Sequence, residues 1–414
     1  MNSRSEASPL SRRGLLTGGA LGVGGAVAGA AVGIAATSAD TRSAAPVTAG
    51  PTAGTDIGTA IEPFHGPRQA GVATDPQAHA AFVGFTLRRG VDRAALGRMM
   101  RLLTDDAARL TQGRAPLADT EPDLAVLPAR LTVTFGFGPG LYAAAGRDER
   151  RPPSVAELPA FGIDRLDPAW SGGDLLLQIC ADDPLAVSHA QRMLIKDTRP
   201  FGSVRWVQRG FRRSRGVQAA AHTQRNVLGQ LDGTANPRSG TTAFDQAVWV
   251  NDGPDWLRDG STLVLRRIRA ELETWDKLGR ADKELAVGRR LDTGAPLTGR
   301  HEHDEPDFAA LNEAGLPVIP DFSHLTRARV SDDRLKILRR PYNYDGAPDA
   351  AGRADSGLIF AAYQADINRQ FLPIQRRLAE QDLLNEWITP IGSAVFAVPP
   401  GCAPGGWIGE RLLG

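Results

Sequence analysis

The chain has 414 residues with a formal net charge of +1, and 42 % of them are hydrophobic against 23 % charged. That length suits one large domain or two of ordinary size with a full core, and the near-neutral balance excludes a polyanion binder: the basic cluster from Arg209 to Arg215 reads as a solvated face, so no nucleic-acid partner is expected. Cys180 and Cys402 form neither a metal-ligand spacing nor a disulfide framework, and leave room for at most one disulfide in an exported protein.

Residues 1–45 read as an address. S-R-R-G-L-L at Ser11–Leu16 is a twin-arginine start, followed by a Gly/Ala/Val-rich stretch to Ala36 and a small-residue cleavage region at Ala35–Ala45. The glycines from Gly14 to Gly33 make this stretch a poor membrane-spanning helix. The expectation is export by the twin-arginine route, to the periplasm, the cell envelope or the exterior, with no stable membrane insertion once the signal is removed. That route carries proteins that fold, often around a cofactor, before they cross. Residues 46–59 are an Ala/Gly/Thr/Pro-rich linker.

Alternation predicts a strand at Ala80–Leu87, and helical periodicity through Leu96, Met99, Met100, Leu103 and Ala107 predicts a helix over Asp92–Thr111. Strands follow at Ala129–Phe135 and Asp174–Cys180, a helix at Asp183–Ile195 and a strand at Val204–Gln208. The order β-α-β-β-α-β is the split pattern of a ferredoxin-like sheet. A second pass has strands near Ser261–Ile268, Leu335–Arg340 and Gly357–Ala362, with helices near Arg269–Lys277 and Asp366–Leu378. The reading is α+β, with two ferredoxin-like domains of antiparallel sheet at 60–220 and 221–414, joined near Arg215–Gln224. The irregular stretch Arg280–Asp321 is long enough to be functional or flexible.

Few residues point to chemistry by themselves. The run H-E-H-D-E at His301–Glu305 suggests a metal site, but its Pro/Gly/Asp setting reads as an exposed acidic loop. No H-E-x-x-H or G-x-S-x-G motif is present. His324, in D-F-S-H-L-T-R-A-R-V, is a lone histidine of the kind that is more often structural than a ligand. Asp232, in G-Q-L-D-G-T-A-N-P, is an aspartate in a turn whose glycines let the backbone approach a ligand.

Taken together, the motifs carry more. N-V-L-G-Q-L-D-G-T-A-N-P-R closely resembles the G-x-x-D-G segment of the dye-decolorizing peroxidase family, and H-L-T-R-A-R-V followed by I-L-R-R-P-Y-N-Y-D-G resembles its proximal-histidine and distal-arginine segments. P-F-H-G-P-R-Q-A-G-V, L-T-V-T-F-G-F-G-P-G-L and A-Y-Q-A-D-I-N-R-Q-F-L-P-I-Q-R-R-L match in the same order, so the resemblance spans nearly all of the chain beyond the signal, within the exported branch that includes the deferrochelatase/peroxidase type.

The resemblance implies two ferredoxin-like domains of the dimeric α/β-barrel superfamily, with one haem b per chain held mainly by the C-terminal half. It implies His324 as the proximal iron ligand, with Asp366 as a candidate carboxylate to orient it. Gly233, Thr234 and Ala235 would lie against the haem. Asp232 would be the distal acid–base residue acting on hydrogen peroxide, which implies an acidic activity optimum. Arg339 or Arg340 would be its partner; neighbours on a strand face opposite ways, so only one can enter the pocket, and setting the family's R-x-G-Y-x-Y on R-R-P-Y-N-Y favours Arg339. Dyes, phenols and other small organic reductants are the implied co-substrates, with Tyr342, Tyr344, Tyr363 and Trp387 as candidate electron relays or core residues. A homo-oligomer is compatible with this reading. Iron release from haem is the alternative activity. A passive haem carrier is a third reading, which Asp232 and the arginine oppose because neither is needed merely to hold haem.

Overall fold

In a computed structural model of the chain, residues 57–219, 222–348 and 350–414 are described. The stretch expected to be an export signal and most of the expected linker lie outside them. No helix among the described residues is long and apolar enough to cross a membrane.

The N-terminal half runs β1 (His79–Leu87), α1 (Arg93–Thr111), β2 (Thr132–Phe137), α2 (Pro139–Ala145), β3 (Leu175–Ala181), α3 (Pro184–Thr198) and β4 (Gly202–Phe211). Asp92 caps α1 by accepting from the Ala95 N–H, and Asp183 caps α3 by accepting from Ala186. The strand expected from Ala129 starts three residues later, because Ala129 and Arg130 hold positive φ of 47° and 61°, which no ladder accommodates.

The C-terminal half runs α4 (Thr242–Val248), β5 (Ser261–Ala270), α5 (Leu272–Trp275), α6 (Arg280–Val287), α7 (His324–Ala328), β6 (Leu338–Arg339), β7 (Tyr342–Gly346), β8 (Asp355–Gln364), α8 (Phe371–Gln381), β9 (Ile388–Val398) and α9 (Glu410–Leu413). The helix expected over Arg269–Lys277 shrinks to the single turn α5, since β5 continues to Ala270. Strands β6 and β7 share one register against β8 (Leu338 with Tyr363, Arg339 with Ala362, Tyr342 with Ile359), so they are a single strand interrupted where Pro341 has no N–H to donate.

The antiparallel order is β4-β1-β3-β2 in the first half and β9-β5-β8-β7 in the second, each the ferredoxin-like order. Pairing of Phe137 with Ala397 and of Phe211 with Asn343 joins the two sheets at both edges and closes a barrel. The two halves therefore share one sheet. One face fills the barrel with Phe82, Cys180, Trp206, Leu263, Ile359 and Phe396. Tyr342, Tyr344 and Tyr363 belong to this interior and are almost fully buried, so the structure makes them core residues; Trp387 is half-buried, edge-on to Trp275. Cys180 is a free thiol inside the barrel, and Cys402 is a second free, buried thiol beside His65.

Between α1 and α3 a carboxyl pair is buried. Burial, and the hydrogen bond and charge of neighbouring Asp197, push the Asp106 carboxyl up to about 7. Because the folded value lies above that of an unfolded aspartate, the pair contributes stability in acid and loses it as pH rises towards and through 7. Thermal melts should fall between about pH 4 and 7, and Asp106→Asn should flatten that decline; equal slopes for both proteins would refute the assignment.

Candidate active site

Outside the barrel, a cavity lies between the second sheet and α8. Strand alternation builds its floor. Arg266, Ile268 and Ala270 of β5 and Leu358 and Phe360 of β8 face it, whereas Leu263, Leu265, Ile359 and Ala361 face the barrel. In β9 the register shifts between Gly392 and Pro390, so Ile391 is an extra residue. This bulge lets Ile388 and Pro390 line the cavity although Ala394 and Phe396, of the same parity, point into the barrel. Phe371, Ile374 and Leu378 of α8 form the opposite wall, and Ile163 reaches in from the N-terminal half.

Three sequence-predicted residues line this cavity: Asp232, His324 and Arg339. Asp232 sits on a small hairpin. Its N–H donates to the Gln224 carbonyl at 2.8 Å, Arg225 bridges Leu231, and Asn226 accepts from and donates to the turn that closes at Gln230. Arg339 Nη1 donates to Asp232 Oδ1 at 2.7 Å, with only 9 % of the aspartate side chain exposed. Arg340, one residue on, points the opposite way: its guanidinium lies in the barrel, bonded to the Thr74 carbonyl and Gln77. Strand alternation thus separates the two arginines, and of the pair only Arg339 reaches the cavity.

His324 opens α7, capped by the Ser323 hydroxyl. Its Nδ1 donates to Asp382 Oδ2 at 2.7 Å. A carboxylate only accepts, so Nδ1 carries the proton and Nε2 keeps its lone pair. Burial of the ring opposes its protonation, but the charge and hydrogen bond of Asp382 outweigh burial and raise its basicity. Asp366, the carboxylate expected in this role, instead accepts from the Asn368 N–H in a local turn. Asp382 takes its place because it ends α8, which packs on α7; its other oxygen accepts from Leu384. No motif marks Asp382 in the sequence.

Gly233, Thr234 and Ala235 do not line the cavity: the Thr234 hydroxyl turns to Glu302 and Ala235 is exposed. The walls come instead from Asn226, Val227 and Leu228 in the turn of the hairpin. The sequence reading also passed over Asn236. Its Oδ1 accepts from the Arg339 N–H at 3.0 Å and its Nδ2 donates to the Arg339 carbonyl at 2.7 Å, so one side chain completes the open edge of β6 as a neighbouring strand would. Its position four residues after Asp232 was legible; its partner, 103 residues away, was not. Asn236→Ala leaves both backbone groups unpaired, and chemical denaturation should show a loss of about 1–3 kcal/mol. An unchanged midpoint would mean that water replaces the clamp.

Two family models match the chain, Dyp-type peroxidase, N-terminal, over residues 69–212 and Dyp-type peroxidase, C-terminal, over residues 223–403. A dye-decolorizing peroxidase of Thermobifida fusca is 40 % identical over 332 residues, 78 % of this chain and 76 % of the relative. A deferrochelatase of Escherichia coli is 36 % identical over 374 residues, 85 % and 87 % of the two chains. Among solved structures, a DyP-type peroxidase from Cellulomonas bogoriensis superimposes with a TM-score of 0.84 at 51 % identity, covering 86 % of this chain and 99 % of its own. Ferric DtpA from Streptomyces lividans superimposes with a TM-score of 0.83 at 39 % identity, covering 86 % and 98 %. With both halves matched and the paired aspartate and arginine set over an apolar cavity, the chain belongs to the Dyp-type peroxidase family.

Proposed function

We propose that the cavity would hold haem b with His324 as its iron ligand, and that Asp232 and Arg339 act on hydrogen peroxide bound there. The observation that carries this reading is the cavity itself: an apolar chamber bordered by a histidine with a free Nε2 and, from a separate segment, by a largely buried Asp–Arg pair. The lining suits such a group. Its walls are largely aliphatic and aromatic, the Asp382–His324 pair is the carboxylate–imidazole arrangement that orients a metal-binding histidine, and Arg266, buried and paired with Asp164, keeps Nε and Nη1 without partners beside the cavity, where an acidic edge of the ligand could be met.

Bound haem supplies the electrons for O–O cleavage and the oxidising power later passed to an organic reductant. The protein moves the proton. Asp232, held as an acceptor by Arg339, takes a proton from hydrogen peroxide and returns it to the oxygen that leaves as water. The fixed guanidinium of Arg339 offsets the negative charge that develops on the peroxide. Such acid–base work is worth ~10²–10⁴ in rate.

Asp232→Asn should therefore retain haem and slow the reaction with peroxide within that ~10²–10⁴ range, measured by stopped-flow absorbance; an unchanged rate removes the acid–base role. His324→Ala should change the iron spectrum, and an identical spectrum removes the ligand assignment.

The E. coli relative's name supports iron release from haem as the second reading; release of iron and free porphyrin from the same preparation tests it. Twin-arginine export to the cell envelope or exterior is part of the proposal, supported by S-R-R-G-L-L at Ser11–Leu16.

A further inference from the structure

The acidic run His301–Glu305 has no part in the chemistry described so far. Among the described residues no group of three or more His, Cys, Asp or Glu side chains converges as metal ligands would. The members of the run behave differently. His301, His303 and Glu305 are exposed, and Asp304 folds back to accept from the backbone N–H groups of Arg300 and His301. Glu302 alone turns inward, and its Oε1 accepts from the Thr223 hydroxyl at 2.5 Å and the Thr234 hydroxyl at 2.8 Å.

Those two threonines stand on opposite legs of the hairpin that carries Asp232. Gln224 pairs with Asp232, Arg225 with Leu231 and Asn226 with Gln230, so Thr223 and Thr234 flank its open end. A two-stranded hairpin this short is marginal in water and frays first at the open end, one residue from Asp232. The rest of the irregular segment grips the same hairpin. Arg225 of the hairpin donates to the carbonyls of Leu291 and Asp292, and within the segment Arg289 donates to those of Gly294 and Glu302. Gly294, at φ +71°, lies so close that a Cβ there would stand 2.3 Å from Leu231 Cδ1.

We propose that Glu302 is a positioning residue for peroxide reduction: its carboxylate ties the two legs of the Asp232 hairpin together and so holds Asp232 against Arg339. The inference rests on Asp232 acting on peroxide, and the tests separate the two. If Asp232→Asn is silent, the reading of the active site fails; if Asp232→Asn slows the enzyme and Glu302→Ala does not, only this inference fails.

The experiment uses haem-loaded protein and stopped-flow reaction with hydrogen peroxide. Glu302→Ala should lower the second-order rate constant ~10–100-fold, the range seen when a residue that orients a reactive group is lost, with haem content and resting spectrum kept. Glu302→Gln still offers a carbonyl oxygen to both hydroxyls and should restore most of the rate, which a need for negative charge or a general loss of folding would not allow. Thr223→Val should slow the reaction, and combining it with Glu302→Ala should cost no more than the worse single change, as expected of partners in one interaction. Should Glu302→Ala fail to fold, Glu302→Gln and Thr223→Val still decide. An unchanged rate in Glu302→Ala, equal losses in the Ala and Gln variants, or additive losses in the double variant would each overturn the proposal.

Discussion

Asp232 and Arg339 meet at 2.7 Å beside an apolar cavity, with less than a quarter of either side chain exposed. Placing two charges there carries a desolvation cost that only close, well-directed pairing offsets, and removing one partner of such a pair typically costs about 3–5 kcal/mol. Neither residue can therefore be allowed to drift. Much of the neighbouring structure answers that constraint. Asn236 bonds both backbone groups of Arg339, and Glu302 bonds both legs of the hairpin beneath Asp232. The pair is joined across the fold through backbone and side chain at once.

The closed sheet supplies the other half of the geometry. Strand alternation sends Arg339 to the cavity and Arg340 into the barrel, where it anchors the segment around Thr74 and Gln77. Two adjacent arginines thus serve different places, one at the cavity and one in the barrel core, and a one-residue slip of this strand would exchange them. The bulge at Ile391 serves the same end on β9. It turns Ile388 and Pro390 outward to floor the cavity while the rest of the strand keeps its large residues in the core. The cavity is a product of register as much as of composition.

Much of this was legible in the chain. The βαββαβ order of the first half follows from hydrophobic periodicity with boundaries off by a few residues, and Asp232, His324 and Arg339 stand out once their segments are set beside the family's motifs. The second half was harder. Its second strand is split by Pro341, the helix after its first strand is one turn long, and β9 hides behind a bulge that breaks alternation. The carboxylate partner of His324 was misplaced on Asp366, because sequence proximity to a recognisable motif says nothing of which helix end faces which; Asp382 reaches the ring only because α8 lies against α7. The aromatic residues near the motifs were similarly ambiguous, and closure of the barrel made Tyr342, Tyr344 and Tyr363 interior side chains.

By itself, then, the sequence determined the βαββαβ order of the first half, the resemblance that names the family and the three candidate site residues, since these depend on local periodicity and short motifs. Which of the two arginines reaches the cavity, which carboxylate bonds the histidine, and which loop grips the Asp232 hairpin were decided only by tertiary structure. Each depends on a contact between segments from 58 to 107 residues apart in the chain or on the side of a strand that faces outward, and such contacts arise from register and helix packing, which no local pattern of residues encodes.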